Sequence, residues 1–207
     1  MLTILDVGAN IGQTAENYCK WFSEATVHSF EPVTSNYEKL AKCASRNRRI
    51  VANRAACGQV PGEQFIRFQN HPGLHSLAQF ANAPDGQEAE CGEMVPVTTV
   101  DDYCSRKGIE GIDVLKSDTE GYDMEVLRGA DRMLSDGRTR FVYVEAGLNH
   151  QPNQTPFCEL SSTLFNKGFV LSGMYEDMRG GAQKEILWFC NALFIHRHAM
   201  ETSGWGV

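Results

Sequence analysis

The strongest constraint on the fold is a repeated alternation between short apolar runs and helical apolar spacings. The first run, Leu2–Val7, closes on the glycine-containing segment 8–12, which predicts a buried strand entering a glycine loop. Behind that loop, apolar residues recur at i, i+3, i+4 and i+7 from Ala15 onward, which predicts an amphipathic helix. Strands that alternate with helices in this way predict a mostly parallel sheet with helices on both faces.

The rest of the chain repeats this pattern. Further strands are predicted at 26–30, 50–52, 65–68, 112–118, 141–145, 169–171 and 187–195, with an edge strand at 95–99 because Pro96 cannot donate to a ladder. Helices are predicted behind the capping-box spacing of Ser35 and Glu38, from Val100, over Tyr122–Leu134 and from Thr155–Pro156. The segment 70–91 predicts a long loop. We predict one α/β domain over residues 1–207.

Composition narrows the classes of function. The chain carries a formal net charge of −7, a poor match to a phosphate backbone, so no nucleic-acid partner is expected. No apolar run approaches the roughly 20 residues that cross a bilayer, and Asp6 interrupts the first apolar run. We therefore expect a cytoplasmic protein with no membrane partner. The seven cysteines lack any C-x-x-C pair, which favours free, buried thiols. The oligomeric state stays open, a homodimer included.

Open α/β sheets bind ligands at the carboxyl ends of their strands. The loop at the end of the first strand has Asn10 where a nicotinamide-binding G-x-G-x-x-G turn needs its second glycine, and no P-loop lysine follows. Glu31 ends the second strand at roughly the 20-residue distance where an acid binds a ribose. Ribose recognition without a diphosphate signature favours a nucleoside ligand such as S-adenosylmethionine.

Several motifs in combination resemble the FkbM family of S-adenosylmethionine-dependent methyltransferases. They are Asp6-Val7-Gly8-Ala9-Asn10-Ile11-Gly12, Phe30-Glu31-Pro32 and Leu115-Lys116-Ser117-Asp118-Thr119-Glu120-Gly121, followed by Leu127-Arg128-Gly129-Ala130 and Val144-Glu145. The resemblance implies a Rossmann-like class I methyltransferase fold, a mostly parallel seven-stranded sheet with an antiparallel last strand. It also implies methylation of hydroxyl oxygens on sugars or natural products.

The resemblance assigns roles to individual residues. Gly8, Asn10 and Gly12 would hold the methionine part of the cofactor, Glu31 would hold the ribose, and the turn Asn53–Ala56 would lie beside the adenine. The full predicted cofactor set is Asp6, Gly8, Ala9, Asn10, Gly12, Glu31, Pro32, Asn53, Ala55, Ala56 and Asp118. The chain departs from the family pattern at Ser117 and Thr119, which are usually aliphatic, and at Asp123, which is often Glu.

The catalytic prediction centres on Asp118. Because side chains alternate along a strand, Lys116 and Asp118 share a face, and Asp118 closes the strand at the ligand crevice. The deeper Lys116 needs a carboxylate, for which Asp6 and Glu145 are the candidates. Glu120 is a candidate for contacting the methionine amino group or for accepting a proton. The predicted catalytic set is Asp118, Glu120, Lys116 and Glu145. The alternative is that these charges form one structural network.

The sequence therefore predicts an S-adenosylmethionine-dependent methyltransferase that is O-directed and acts on a small molecule or glycan. No metal is predicted, because no spacing demands a cation at the acidic residues. A nicotinamide-dependent oxidoreductase is one alternative, disfavoured by Asn10. A catalytically silent nucleoside-binding module is the other.

Overall fold

The computed structural model describes residues 2–68, 75–76, 92–149 and 154–202. The predicted long loop over 70–91 lies outside these residues except for the strand at 75–76. The elements of the described ranges are, in chain order, β1 (Leu2–Val7), α1 (Gln13–Trp21), β2 (Ala25–Phe30), α2 (Thr34–Arg46), β3 (Ile50–Asn53), β4 (Ala56–Cys57), β5 (Gly62–Phe68), β6 (His75–Ser76), β7 (Gly92–Thr98), α3 (Val100–Lys107), β8 (Ile112–Ser117), α4 (Asp123–Arg128), α5 (Asp131–Ser135), β9 (Thr139–Gly147), α6 (Phe157–Asn166), β10 (Phe169–Gly180), β11 (Ile186–His196) and α7 (Arg197–Thr202).

The larger sheet has seven strands in the order β10-β11-β9-β8-β1-β2-β3. Strands β3, β2, β1, β8 and β9 run parallel, while β11 is antiparallel to both of its neighbours. This confirms the predicted mostly parallel sheet with an antiparallel last strand. The chain leaves β1 toward β2 on one side and returns on the other side as β8. The carboxyl ends of β1 and β8 therefore form the crevice at which such sheets bind ligands.

Alternation along the central strands buries a core on each face of this sheet. Leu5 and Val7 of β1 pack in one cluster with residues of α3, α4, α5 and α6. Ile4, whose side chain lies on the opposite face of β1, packs in a second cluster with residues of α1 and α2. The predicted layer of helices on both faces is therefore confirmed. No helix of the described residues is long and apolar enough to cross a membrane.

A smaller sheet of four strands, in the order β4-β7-β5-β6, lies beside the start of α2. Its Ile66 and Val95 pack on Val33, which precedes α2. The prediction of an edge strand around Pro96 was wrong, because β7 lies between β4 and β5. Since β4 pairs only with Val97 and Thr98, the ladder on that side of β7 begins only after Pro96.

Three local predictions were wrong, and in the first two a distant residue replaces the local signal. The predicted helix over Tyr122–Leu134 is split into α4 and α5 near Gly129, where an added Cβ would lie 2.0 Å from the carbonyl oxygen of Gly58. The capping box before α2 is absent, and Glu93 of β7 instead accepts a hydrogen bond from the Thr34 backbone N–H at 2.6 Å. The N-cap of α6 is Pro156 rather than Thr155.

Candidate active site

A cavity of about 310 Å³ opens where β1, β2 and β8 end. The smaller sheet contributes to its wall through Ile66. The predicted cofactor residues that line it are Gly8, Ala9, Asn10, Glu31, Pro32, Ala56 and Asp118. Of the predicted catalytic residues, Lys116 and Glu120 also line it, and Glu145 does not.

The loop after β1 depends on a left-handed backbone. Gly8, Asn10 and Gly12 have φ angles of 77°, 51° and 97°. A Cβ added to Gly8 would lie 1.9 Å from the carbonyl oxygen of Asp118, so this glycine permits a close approach of two loops. Gly12 does not line the cavity and is instead the N-cap of α1. Its predicted contact with the methionine part is therefore not supported by its position.

Glu31 is held at the end of β2 by both of its oxygens. Oε2 accepts a hydrogen bond from the Asn10 backbone N–H at 2.9 Å, and Oε1 accepts one from the Val33 backbone N–H at 2.9 Å. The side chain is 5% exposed, and burial raises its pKa to about 7 against the opposing effect of those two hydrogen bonds. Each carboxylate oxygen has a second acceptor site, so Glu31 is able to accept ribose hydroxyls while it keeps the loop in place.

The predicted turn beside the adenine contributes less than expected. Asn53 donates through Nδ2 to the carbonyl oxygens of Ser29 and Val51, at 3.1 and 3.0 Å. Asn53 and Ala55 line a separate surface depression, and of the predicted turn residues only Ala56 lines the cavity. These hydrogen bonds, one to β2 and one within β3, explain the difference, because they hold the Asn53 side chain against the sheet.

Lys116 is 6% exposed and lies between two carboxylates. Its Nζ is 3.3 Å from Oδ1 of Asp6 and 3.5 Å from Oδ2 of Asp118, and it donates to the Gly8 carbonyl oxygen at 3.1 Å. Burial acts to lower the pKa of Lys116, but the charges of Asp6 and Asp118 outweigh it and raise that pKa. Among the described ion pairs none joins Lys116 to Glu145, so of the two predicted partners the structure places Asp6 there.

Asp6 lies below the cavity rather than in its wall. The side chain is fully buried, and the register of the sheet places it opposite both Lys116 on β8 and Ser29 on β2. Burial raises the pKa of Asp6, and the charge of Lys116 opposes that effect. Asp6 therefore neutralises the lysine from beneath, and its predicted contact with the cofactor is not supported by its position outside the cavity wall.

Three acids lie on the β8 and β9 side of the site: Asp118, Glu120 and Glu145. The side chain of Asp118 is 43% exposed, and Glu120 adopts a left-handed φ of 53° in the loop behind it. Burial, followed by the charges of Asp118 and Asp123, raises the pKa of Glu120 to about 7. Burial, followed by the charges of Asp118, Glu120 and Asp123, raises the pKa of Glu145 to about 8. Within the described residues, no group of three or more His, Cys, Asp or Glu side chains is placed to hold a metal ion.

Some of the cavity wall was missed by the sequence analysis. Gln13 and Thr14 begin α1 directly after the glycine loop. Because the N-terminus of such a helix faces the crevice, their position in the sequence was enough to predict that they line the cavity. Ile66 and Tyr122 also line the cavity. The Tyr122 hydroxyl hydrogen-bonds Oε1 of Gln64 on β5 at 3.0 Å, a contact between segments that no local pattern predicts.

Comparison with known proteins agrees with this geometry. Residues 6–171 match the family model described as the methyltransferase FkbM domain. The chain is 27% identical over 157 residues to the 2-O-methyltransferase NoeI of Sinorhizobium fredii, covering 69% of this chain and 62% of that protein. It is 26% identical over 145 residues to the hexuronic acid methyltransferase AglP of Haloferax volcanii, covering 70% and 56%. The chain thus spans about three fifths of the length of these relatives.

Solved structures show the same fold. The crystal structure of methyltransferase FkbM from Methylobacillus flagellatus has a TM-score of 0.60 at 16% identity, covering 94% of this chain and 43% of that one. M. capricolum TrmK in complex with S-adenosyl-homocysteine has a TM-score of 0.55 at 6% identity, covering 94% and 62%. Aeropyrum pernix fibrillarin with bound S-adenosyl-L-methionine has 0.51 at 16% identity, covering 92% and 65%. These likenesses show the class I methyltransferase fold. Because the family model matches most of the chain, the chain belongs to the methyltransferase FkbM domain family.

Proposed function

We propose that this protein is an S-adenosylmethionine-dependent O-methyltransferase that acts on a hydroxyl of a small molecule or glycan. The observation that carries the proposal is the cavity that joins Glu31 on one side to Asp118 and Glu120 on the other. Membership of the methyltransferase family supports the reaction. The names of the two relatives, a 2-O-methyltransferase and a hexuronic acid methyltransferase, support a sugar hydroxyl as the acceptor.

The residues of the cavity fit this cofactor. Glu31 offers remaining acceptor sites to a ribose diol, and Gly8, Ala9 and Asn10 line the cavity beside it. The carboxylates of Asp118 and Glu120 complement a positively charged sulfonium and ammonium. When bound, S-adenosylmethionine supplies an electrophilic methyl group. The fit favours this cofactor over a nicotinamide dinucleotide, for which Asn10 replaces a required glycine.

The protein has two tasks in such a reaction. It must align the acceptor oxygen with the methyl group, and it must take up the proton of the acceptor hydroxyl. Lys116 holds Asp118 through the 3.5 Å ion pair, which positions that carboxylate at the mouth of the crevice. Glu120, with a pKa of about 7, is able to accept a proton near neutral pH. We assign alignment to Asp118 and proton acceptance to Glu120.

Calorimetric titration with S-adenosylhomocysteine tests the cofactor assignment. Glu31→Gln keeps the volume but loses the charged acceptor, and we expect it to weaken binding by roughly 1.5–3 kcal/mol, about 10- to 150-fold. The exposed Glu24→Gln is the control and should leave affinity unchanged. Unchanged affinity in Glu31→Gln would contradict the ribose assignment. Binding of NAD without binding of S-adenosylhomocysteine would favour the oxidoreductase alternative.

Turnover distinguishes an enzyme from a silent binding module. With glucuronic acid as a hexuronic acid probe, we expect Asp118→Asn to lower kcat far more than cofactor affinity, the pattern of a group that acts in the transition state. Full turnover by that variant would favour a structural role for the charges. The single domain, the cytoplasmic location, the lack of a nucleic-acid partner and the homodimer remain predictions.

A further inference from the structure

Asp123 is a fully buried carboxylate that lies outside the predicted site. Its Oδ1 accepts hydrogen bonds from the Ser117 hydroxyl at 2.6 Å, the Thr119 hydroxyl at 2.9 Å and the Thr119 backbone N–H at 3.2 Å. Its Oδ2 accepts one from the Thr155 hydroxyl at 3.3 Å. None of the ion pairs among the described residues includes Asp123. Hydroxyl and amide dipoles therefore stabilise the ionised carboxylate without a cation, and they oppose burial, which raises the pKa of Asp123.

These bonds close the loop that carries two of the site's acids. Ser117 precedes the loop 118–121, Thr119 lies within it, and Asp123 follows it, so one carboxylate oxygen joins its beginning, middle and end. The loop needs such support, because Glu120 and Gly121 both have left-handed φ angles, 53° and 92°. Thr155 attaches the loop to the segment before α6.

The buried charge also acts on the acids themselves. It is one of the like charges that, after burial, raise the pKa of Glu120 and of Glu145. Of the other charged groups, Asp118 raises both pKa values and Lys116 lowers both, and Glu120 also raises the pKa of Glu145. Asp123 thus affects both the geometry and the proton affinity of this side of the site.

We propose that Asp123 is a positioning residue that acts through Ser117, Thr119 and Thr155 to hold the loop 118–121 so that Glu120 accepts the proton of the acceptor hydroxyl. This assignment rests on the proposed methyl transfer. In that step the O–H bond of the acceptor breaks and its proton passes to the Glu120 carboxylate. The electron pair of the oxygen forms the new C–O bond, and the C–S bond breaks with its pair left on sulfur.

Asp123→Asn tests the proposal, because it keeps the volume and removes the charge. Carbon-13 NMR titration of the side-chain carboxyls should show Glu120 and Glu145 titrating at lower pH than in the wild type, since a neighbouring negative charge is lost. With glucuronic acid as the acceptor, kcat should fall and the acidic limb of its pH profile should move to lower pH. A role in folding alone would not move that limb. Unchanged titration of Glu120 together with wild-type kcat would overturn the proposal.

Matched variants separate charge from geometry. Ser117→Ala and Thr119→Val each remove one hydroxyl donor and keep the carboxyl group of Asp123, so each should lower kcat and move the pH limb less than Asp123→Asn does, and Asp123→Glu should restore the titration of Glu120. The half-exposed Asp136→Asn is the surface control. If Asp123→Asn does not fold, wild-type kcat in both folded hydroxyl variants overturns the proposal. If the wild type methylates no acceptor, the proposed function fails, while an unchanged Glu120 titration in Asp123→Asn still overturns the positioning role separately.

Discussion

Asp6 and Asp123 are both fully buried aspartates near the carboxyl edge of the sheet, yet their surroundings are opposite. Neither oxygen of Asp6 has a hydrogen-bond partner, and its charge faces Lys116 at 3.3 Å. Asp123 accepts four hydrogen bonds and belongs to no described ion pair. Burial raises the pKa of both side chains. The region around Asp6 is therefore sensitive to loss of a charge, and the region around Asp123 is sensitive to loss of a hydroxyl.

The largest effect is expected from Lys116→Met. Removal of the lysine leaves Asp6 as an uncompensated buried charge, and losing one partner of a buried pair costs about 3–5 kcal/mol of unfolding free energy. Urea denaturation at pH 7 measures this loss. The double variant Asp6→Asn with Lys116→Met removes both charges and should recover most of it.

The same variant has a characteristic pH dependence. Burial already raises the pKa of Asp6 in the wild type, and removal of Lys116 takes away the charge that lowers it, so in the variant the native state holds the Asp6 proton to higher pH than the wild type does. Stability of Lys116→Met should therefore rise, relative to the wild type, as pH falls from 7 toward 4. A deficit that stays constant over this range would contradict a buried, charged Asp6.

Gly8→Ala tests the contact that joins the two regions. The alanine would adopt a left-handed backbone and would place its Cβ 1.9 Å from the Asp118 carbonyl oxygen. We expect a loss of about 3 kcal/mol, from the backbone conformation and from overpacking together. Gly108→Ala is the matched control, because Gly108 also has a left-handed φ, 66°, but no atom within 4 Å of the added Cβ. It should cost only the conformational part, about 1–2 kcal/mol, by thermal denaturation. Equal losses would contradict the close contact.

Of the three substitutions Lys116→Met, Gly8→Ala and Ser117→Ala, the last should lower the free energy of unfolding least. It removes one hydroxyl donor from the charged Asp123, and hydrogen bonds to charged groups contribute about 1.5–3 kcal/mol. Ser45→Ala removes an exposed hydroxyl bond on α2 and should stay within about 0.5 kcal/mol of the wild type. Urea denaturation of both variants makes the comparison. A Ser117→Ala variant as stable as Ser45→Ala would show that the threonine donors alone satisfy Asp123.

The main sheet was predictable because its signals are local. An apolar run such as Leu2–Val7 followed by a helical spacing specifies a strand and a helix within one stretch of chain. The smaller sheet and the break at Gly129 were not, because they depend on contacts with residues far along the chain, such as Gly58. The capping of Thr34 by Glu93 is a contact of the same kind.

The candidate site also has a part that was predictable from the sequence and a part that was not. The glycine loop, Glu31 and the Lys116–Asp118 pair follow from motif and strand alternation, and the structure brings them to one cavity. The Asn53 side chain is held away from the cavity by hydrogen bonds to one carbonyl of β2 and one of its own strand β3. Asp123 receives its hydroxyls from three segments, and alternation along β8 places Ser117 on the face opposite Lys116. No sequence pattern links those positions.

The contact between Gly8 and Asp118 has a consequence for how this site is able to evolve. The glycine accommodates the main-chain carbonyl of residue 118, and the Asp118 backbone N–H donates to the Val7 carbonyl oxygen at 3.2 Å. Neither interaction uses the side chain of residue 118. Selection can therefore exchange the chemical group presented at that position while the two loops keep their arrangement, whereas a change at Gly8 disturbs the architecture directly. Position 118 therefore tolerates a change of side chain, whereas Gly8, which packs against its carbonyl group, does not.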